Sequence, residues 1–116
     1  MFLQGNTNQE KARIAISNRL FVNNWSLHDD LINIRDGNYE YDIELYYDHH
    51  KPIGIIVYSR RSIIGIFVRK KYRRQGIGTK LVNFVKSKYS TIEEASWGIY
   101  GSETFWQSQD IEIDTW

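Results

Sequence analysis

The run Val68-Arg69-Lys70-Lys71-Tyr72-Arg73-Arg74-Gln75-Gly76-Ile77-Gly78-Thr79-Lys80-Leu81 is where residue types and spacing suit chemistry. It joins an apolar segment to an amphipathic one through a basic turn holding two glycines. Such a turn, at the start of a helix, exposes successive backbone N–H groups where the helix dipole is positive, and so attracts phosphate. Glycine at 76 and 78 lets a pyrophosphate approach the backbone without an intervening side chain. Two better-known phosphate loops do not fit. A Walker loop needs Gly-Lys-Ser/Thr, whereas Gly78-Thr79-Lys80 reverses the last pair and Arg73 stands where its first glycine belongs. In a dinucleotide fingerprint beginning at Gly76, Leu81 occupies the third glycine position.

Other chemistries are poorly provided for. The chain has no cysteine, which removes disulfides, thiolate zinc sites and an acyl-cysteine intermediate. His49 and His50 are adjacent, hence on opposite sides of an extended chain, and His28 stands apart; surface positions are expected and no metal site.

The elements that must position the turn follow from periodicity. Thr7 and Glu10 have capping-box spacing, with Ala12, Ala15, Ile16 and Leu20 behind them, so a first helix is expected from about Asn8 to Arg19. Ser26 and Asp29 repeat the signal for a short second helix that Asp36-Gly37-Asn38 ends. Tyr39, Tyr41, Ile43, Leu45 and Tyr47 alternate with Glu40, Asp42 and Glu44, the pattern of a half-buried strand. Strands are expected at Ile53–Ser59 and Ser62–Val68, a helix at Thr79–Lys88, and a strand at Ala95–Tyr100. A short helix capped by Ser102 and holding Phe105 and Trp106 then precedes a last strand, Ile111–Trp116.

Along its whole length the Val68–Leu81 segment resembles the acyl-CoA signature of the GNAT superfamily of N-acetyltransferases, Q/R-x-x-G-x-G/A, here Arg73-Arg74-Gln75-Gly76-Ile77-Gly78. The strand ahead of Arg73, the aromatic Tyr72, the apolar helix after the glycines and the order of elements are also similar. The resemblance implies an α/β (α+β) fold: a single domain with a mixed, mainly antiparallel sheet flanked by helices. It implies that acetyl-CoA, or another short acyl-CoA, is bound, with N–H groups of Arg74, Gly76, Gly78 and Thr79 on the pyrophosphate and Arg73 beside it. Gln75 completes the signature. Val68 would pair with pantetheine, and the Ile66 N–H would point at the thioester carbonyl. Arg69, Lys70 and Lys71 are candidates for the adenosine 3′-phosphate. The glutamate that the family often places at the start of this strand is Ser62 here, so Glu44 is taken as its substitute. The family's tyrosine acid falls on Trp106, which leaves Tyr100 as the substitute donor.

The implied activity is transfer of an acetyl group to a primary amine, on a small molecule or a protein, by direct attack in a ternary complex. A catalytically silent CoA- or protein-binding module is the alternative. A small nucleic-acid-binding domain is a third reading, prompted by ten cations and no acid between Arg60 and Lys88. A net charge of only +1 and an all-acidic set of charges after Lys88 weigh against it. At 116 residues, 41% hydrophobic, the chain is expected to be one packed domain. No run is long and apolar enough for a membrane span, and a soluble cytoplasmic protein is expected. A homodimer covering the edge of the last strand is expected as well.

Overall fold

A computed structural model describes residues 1–89 in full, together with the backbone of Glu94–Ser96 and Glu112–Asp114. Helices α1 (Asn8–Ser17) and α2 (Trp25–Arg35) precede strands β1 (Asp42–Asp48), β2 (Lys51–Tyr58) and β3 (Ser62–Val68). A single 3-10 turn, Lys70–Tyr72, leads to α3 (Ile77–Lys88), then to β4 (Glu94–Ser96) and β5 (Glu112–Asp114). The sheet order is β1-β2-β3-β4-β5. β1, β2 and β3 are antiparallel neighbours, while β4 and β5 add in parallel. The expected mixed α/β architecture is the one observed.

Local chemistry sets the boundaries. Thr7 and Glu10 do close a capping box on α1. That helix stops at Ser17, short of Arg19, because Arg19 adopts φ 57° and turns the chain away. The second cap is Asn24, whose side chain accepts from the Leu27 N–H, so α2 begins one residue before the expected cap Ser26. β1 starts at Asp42, three residues later than the aromatic alternation suggested.

One core lies on each face of the sheet. Leu27, Leu31 and Ile34 of α2, with Ala12 and Ala15 of α1, cover Ile43, Leu45, Ile55, Val57 and Phe67. On the other face Ile77, Leu81, Val82 and Val85 of α3 cover Ile53, Ile56, Tyr58, Ile63, Ile66 and Val68. Each leucine, isoleucine, valine or phenylalanine among them contributes about 1.5–3 kcal/mol on burial. Two glycines allow the helices to close down. A Cβ on Gly65 would stand 2.9 Å from Leu27 Cδ1, and one on Gly54 would stand 3.3 Å from Ile77 Cγ2 and Leu81 Cδ1. The outer edge of β1 is covered by the chain's opening residues: Leu3 N–H donates to Leu45 O, Tyr47 N–H to Met1 O, and Ile43 N–H to the Asn8 side chain.

Candidate functional site

β3 is held on one side only over its second half. The Arg69 N–H donates to Ile53 O at 2.9 Å, which places Arg69, and by strand alternation Phe67 and Gly65, on the β2 side. The N–H groups of Ile66 and Val68 therefore point away from β2. Among the described residues β4 pairs with β3 only at Ser62 and Ile63, and none pairs with that edge beside Ile66 and Val68. A register shift between Val57 and Tyr58, with Ile63 and Gly65 as successive partners, marks where the regular ladder breaks.

That edge of β3 runs into the basic turn. Arg74 and Gly76 both have left-handed backbones, φ 66° and 78°, with Gln75 between them outside that region. Left-handed residues in a turn are an ingredient of anion-binding backbone nests, in which neighbouring N–H groups face one side. Gly76 is also the N-cap of α3 and offers no side chain to the first-turn donors. A hollow of about 280 Å³ opens here, lined by Val68, Tyr72, Arg73, Arg74, Gly76, Ile77, Gly78 and Thr79. A Cβ on Gly76 would meet no protein atom within 4 Å, so within the protein itself glycine is needed there for its backbone hand.

Residues 40–109, more than half of the chain, match the model of the acetyltransferase (GNAT) domain. The chain belongs to the GNAT acetyltransferase family. The fold is similar to the crystal structure of a possible acetyltransferase from Clostridium difficile 630, with TM-score 0.62 and 14% identity over 100% of this chain and 92% of that one. No curated protein sequence matches this chain significantly.

The turn gathers Val68, Arg73, Arg74, Gly76, Gly78 and Thr79 of this GNAT domain around one hollow. Gln75 is exposed and outside its lining, with its amide 3.4 Å from Lys71 O. The Ile66 side chain is buried beneath α3, so only its backbone faces the β4-side edge of β3. Arg73 folds back: its Nε donates to Val68 O at 2.8 Å and its guanidinium carbon lies 5.6 Å from the Phe67 ring centre. Arg69 does not extend into solvent as a phosphate ligand would. Its Nε donates to Pro52 O at 2.9 Å and its Nη2 to Asn18 O at 2.8 Å.

Glu44, taken from the sequence as the substitute for the family's glutamate, is buried in the structure. It is 5% exposed, with Oε1 3.3 Å from Lys11 Nζ and Oε2 2.5 Å from the Tyr58 hydroxyl. The alternation of β1 was read as half-buried, but Glu44 points beneath α3 while Ile43 and Leu45 point beneath α1 and α2, so both faces are covered. Lys88, the last residue of α3, approaches Glu44 Oε2 at 3.8 Å, whereas Gly76 begins that helix at the hollow. Glu44 and the hollow thus stand at opposite ends of α3. In the sheet register Ile56 separates Glu44 from Ile66, a gap of two strand spacings or about 10 Å. Burial, and then the bond to Glu44, push the Tyr58 hydroxyl far above its ordinary pKa.

Tyr100, together with Phe105 and Trp106, lies outside the described residues. His49 and His50 form the β1–β2 turn, as a surface position requires, and His49 has φ 56°. Among the described residues no group of acids and histidines could hold a metal. Sequence reasoning missed Asp48. Its Oδ2 accepts from the Tyr72 hydroxyl at 3.0 Å, tying the wall of the hollow to that turn. No spacing signal joins residues 24 apart, because a sheet register creates their contact.

Proposed function

We propose that the chain transfers an acetyl group from acetyl-CoA to a primary amine, on a small molecule or a protein, by direct attack in a ternary complex. One observation carries this reading: the outward N–H groups of Ile66 and Val68 lie on a strand edge that no described residue pairs with, leading into left-handed turn residues and a helix start with no side-chain cap. The N–H groups of Arg74, Gly76, Gly78 and Thr79 are assigned to the pyrophosphate. The Val68 N–H is assigned to a pantetheine amide, and the Ile66 N–H to the thioester carbonyl.

These roles suit aminolysis of a thioester. As the amine nitrogen adds to the carbonyl carbon, negative charge grows on the carbonyl oxygen, and a donor already fixed toward it needs no reorganisation. One such donor is worth about a hundredfold to a thousandfold in rate. The departing thiolate, whose conjugate acid has a pKa of about 8.5, leaves tolerably at neutral pH, so a protein acid is an aid rather than a requirement. Tyr100 is the candidate for that aid. Both oxygens of Glu44 are engaged in a buried network, and the proton-acceptor role is not given to it.

Calorimetry with CoA tests the donor site. Wild type should bind with micromolar or tighter affinity, and Gly78→Glu, which adds bulk and negative charge beside the nest, should bind none while remaining folded. Incubation with acetyl-CoA and primary amines should yield acetylated product by mass spectrometry. Unchanged CoA affinity in Gly78→Glu would overturn the assignment, and tight binding without product would reduce the chain to a binding module.

A further inference from the structure

An amine acceptor with a pKa of about 10.4 is almost wholly protonated at neutral pH, and its nitrogen must shed protons to form an amide. With Glu44 engaged elsewhere and Ser62 at the start of β3, the transferase reading lacks a proton acceptor. The edge of β3 that carries the Ile66 N–H identifies where one must be. α1 packs on β1, α2 packs on β3, and the two helices lie side by side. Because the strand order is β1-β2-β3-β4-β5, the flank of α2 turned away from α1 looks toward the β4-side edge of β3.

The two helices run antiparallel, with Gly37 beside Gln9, and Asn8 and Lys11 of α1 reach the outer edge of β1, so the α1 flank of α2 is the one that carries His28, whose ring lies tilted 4.3 Å from Phe21 in the α1–α2 loop. Asp30 follows two residues later, a rotation of about 200° around the helix axis, and so lies on the opposite flank. Leu27, one turn earlier, fixes the height of this flank, because its Cδ1 would be 2.9 Å from a Cβ on Gly65, the residue before Ile66. Asp30 is partly buried, and among the described residues it has no hydrogen-bond or ion-pair partner.

We propose that Asp30 is the proton acceptor for the attacking amine, working directly or through one water from the flank of α2 above the β4-side edge of β3. The inference rests on the transferase reading given above. The ammonium first loses one proton to solvent, which frees the lone pair that adds to the carbonyl carbon; as the nitrogen–carbon bond forms, Asp30 takes the second proton and later returns it to solvent. The carbon–sulfur bond then breaks, and sulfur leaves with the bonding pair as a thiolate that solvent protonates.

The electrostatics of Asp30 agree with that task. Burial, and then the neighbouring Asp29, raise its pKa to about 6, so it is ionised at neutral pH yet basic enough to accept a proton. β3 beneath it carries no ionisable side chain, and Glu10, Lys11 and Arg13 belong to α1 on the other flank. An unpartnered carboxylate kept partly dry costs stability, which is a mark of functional groups.

The test compares wild type with Asp30→Asn and Asp30→Glu, using acetyl-CoA with spermidine and a lysine peptide as acceptors. Calorimetry with CoA and thermal melting at pH 8 accompany the rates. Asp30→Asn should keep its CoA affinity, melt higher than wild type at pH 8, and lose a hundredfold or more in kcat. The rise in wild-type kcat through about pH 6 should vanish in Asp30→Asn and persist, shifted, in Asp30→Glu. Asp30→Asn with wild-type kcat and an unaltered pH profile overturns this inference and leaves the functional reading standing. A wild type that binds no CoA, or transfers to neither acceptor, overturns the functional reading and this inference with it.

Discussion

Arg69 Nη2 donates to the carbonyl oxygen of Asn18 at 2.8 Å, so the residue that opens the anion-binding turn is tied to the residue that caps α1. Its Nε holds Pro52 O at 2.9 Å, and its backbone N–H holds Ile53 O. One side chain thus joins the end of α1, the start of β2 and the end of β3. Arg69→Met should cost about 2 kcal/mol by urea denaturation, because two charge-assisted bonds in a partly buried setting are lost. It should weaken CoA and 3′-dephospho-CoA by the same factor in calorimetry. Weakening confined to CoA would make Arg69 a ligand of the 3′-phosphate instead.

Gly65 is closed over by Leu27, at 2.9 Å from the atom a Cβ would add. Gly65→Ala should therefore push α2 from the sheet and cost about 1–3 kcal/mol. Leu27→Val withdraws part of the clashing side chain. The double variant should lose at least about 0.5 kcal/mol less than the two single losses added together. Strict additivity in a double-mutant cycle would mean that α2 does not rest on Gly65.

Gly76 adopts φ 78° with open space where a Cβ would go. Gly76→Ala should then cost about 1–2 kcal/mol through backbone hand alone, and Gly76→Asn less, since asparagine visits that region more readily. Chemical denaturation of the three proteins checks the order. Equal stability of the alanine and asparagine variants would show that backbone hand does not set the cost of replacing Gly76.

Legibility in the sequence followed the range of the interaction. Capping at Thr7, the strand from Ser62 to Val68, and the clustering of Arg73, Arg74, Gly76, Gly78 and Thr79 depend on neighbours a few residues away, and these were readable. The left-handed backbone of Arg74 was not, because an arginine gives no hint of it. The fate of Glu44 was hidden for another reason. Alternation identifies two faces of a strand but not what covers them, and α3 arrives over the Glu44 face from more than thirty residues downstream. Arg69, Asp48 and Asp30 belong to the same class, since their surroundings are made by register and helix packing.

The buried hydrogen bond from Tyr58 to Glu44 makes a prediction about alkaline stability. The Tyr58 hydroxyl donates to Glu44 Oε2 at 2.5 Å and accepts from Lys88 Nζ at 3.1 Å. Tyr58→Phe leaves Glu44 Oε2 buried with only Lys88 at 3.8 Å, so about 1–3 kcal/mol should be lost at neutral pH. The pH dependence follows from the raised pKa. Below the unfolded value of 10.0 the phenol is protonated in both states and the hydrogen bond stabilises fully. Above it the unfolded chain releases this proton while the folded protein keeps it, so stability falls as pH rises. The difference in stability between wild type and Tyr58→Phe should therefore shrink between pH 9 and pH 11 in urea denaturation series. A difference constant across that range would mean that Tyr58 ionises as easily in the folded protein as in the unfolded chain, and that its contact with Glu44 contributes nothing.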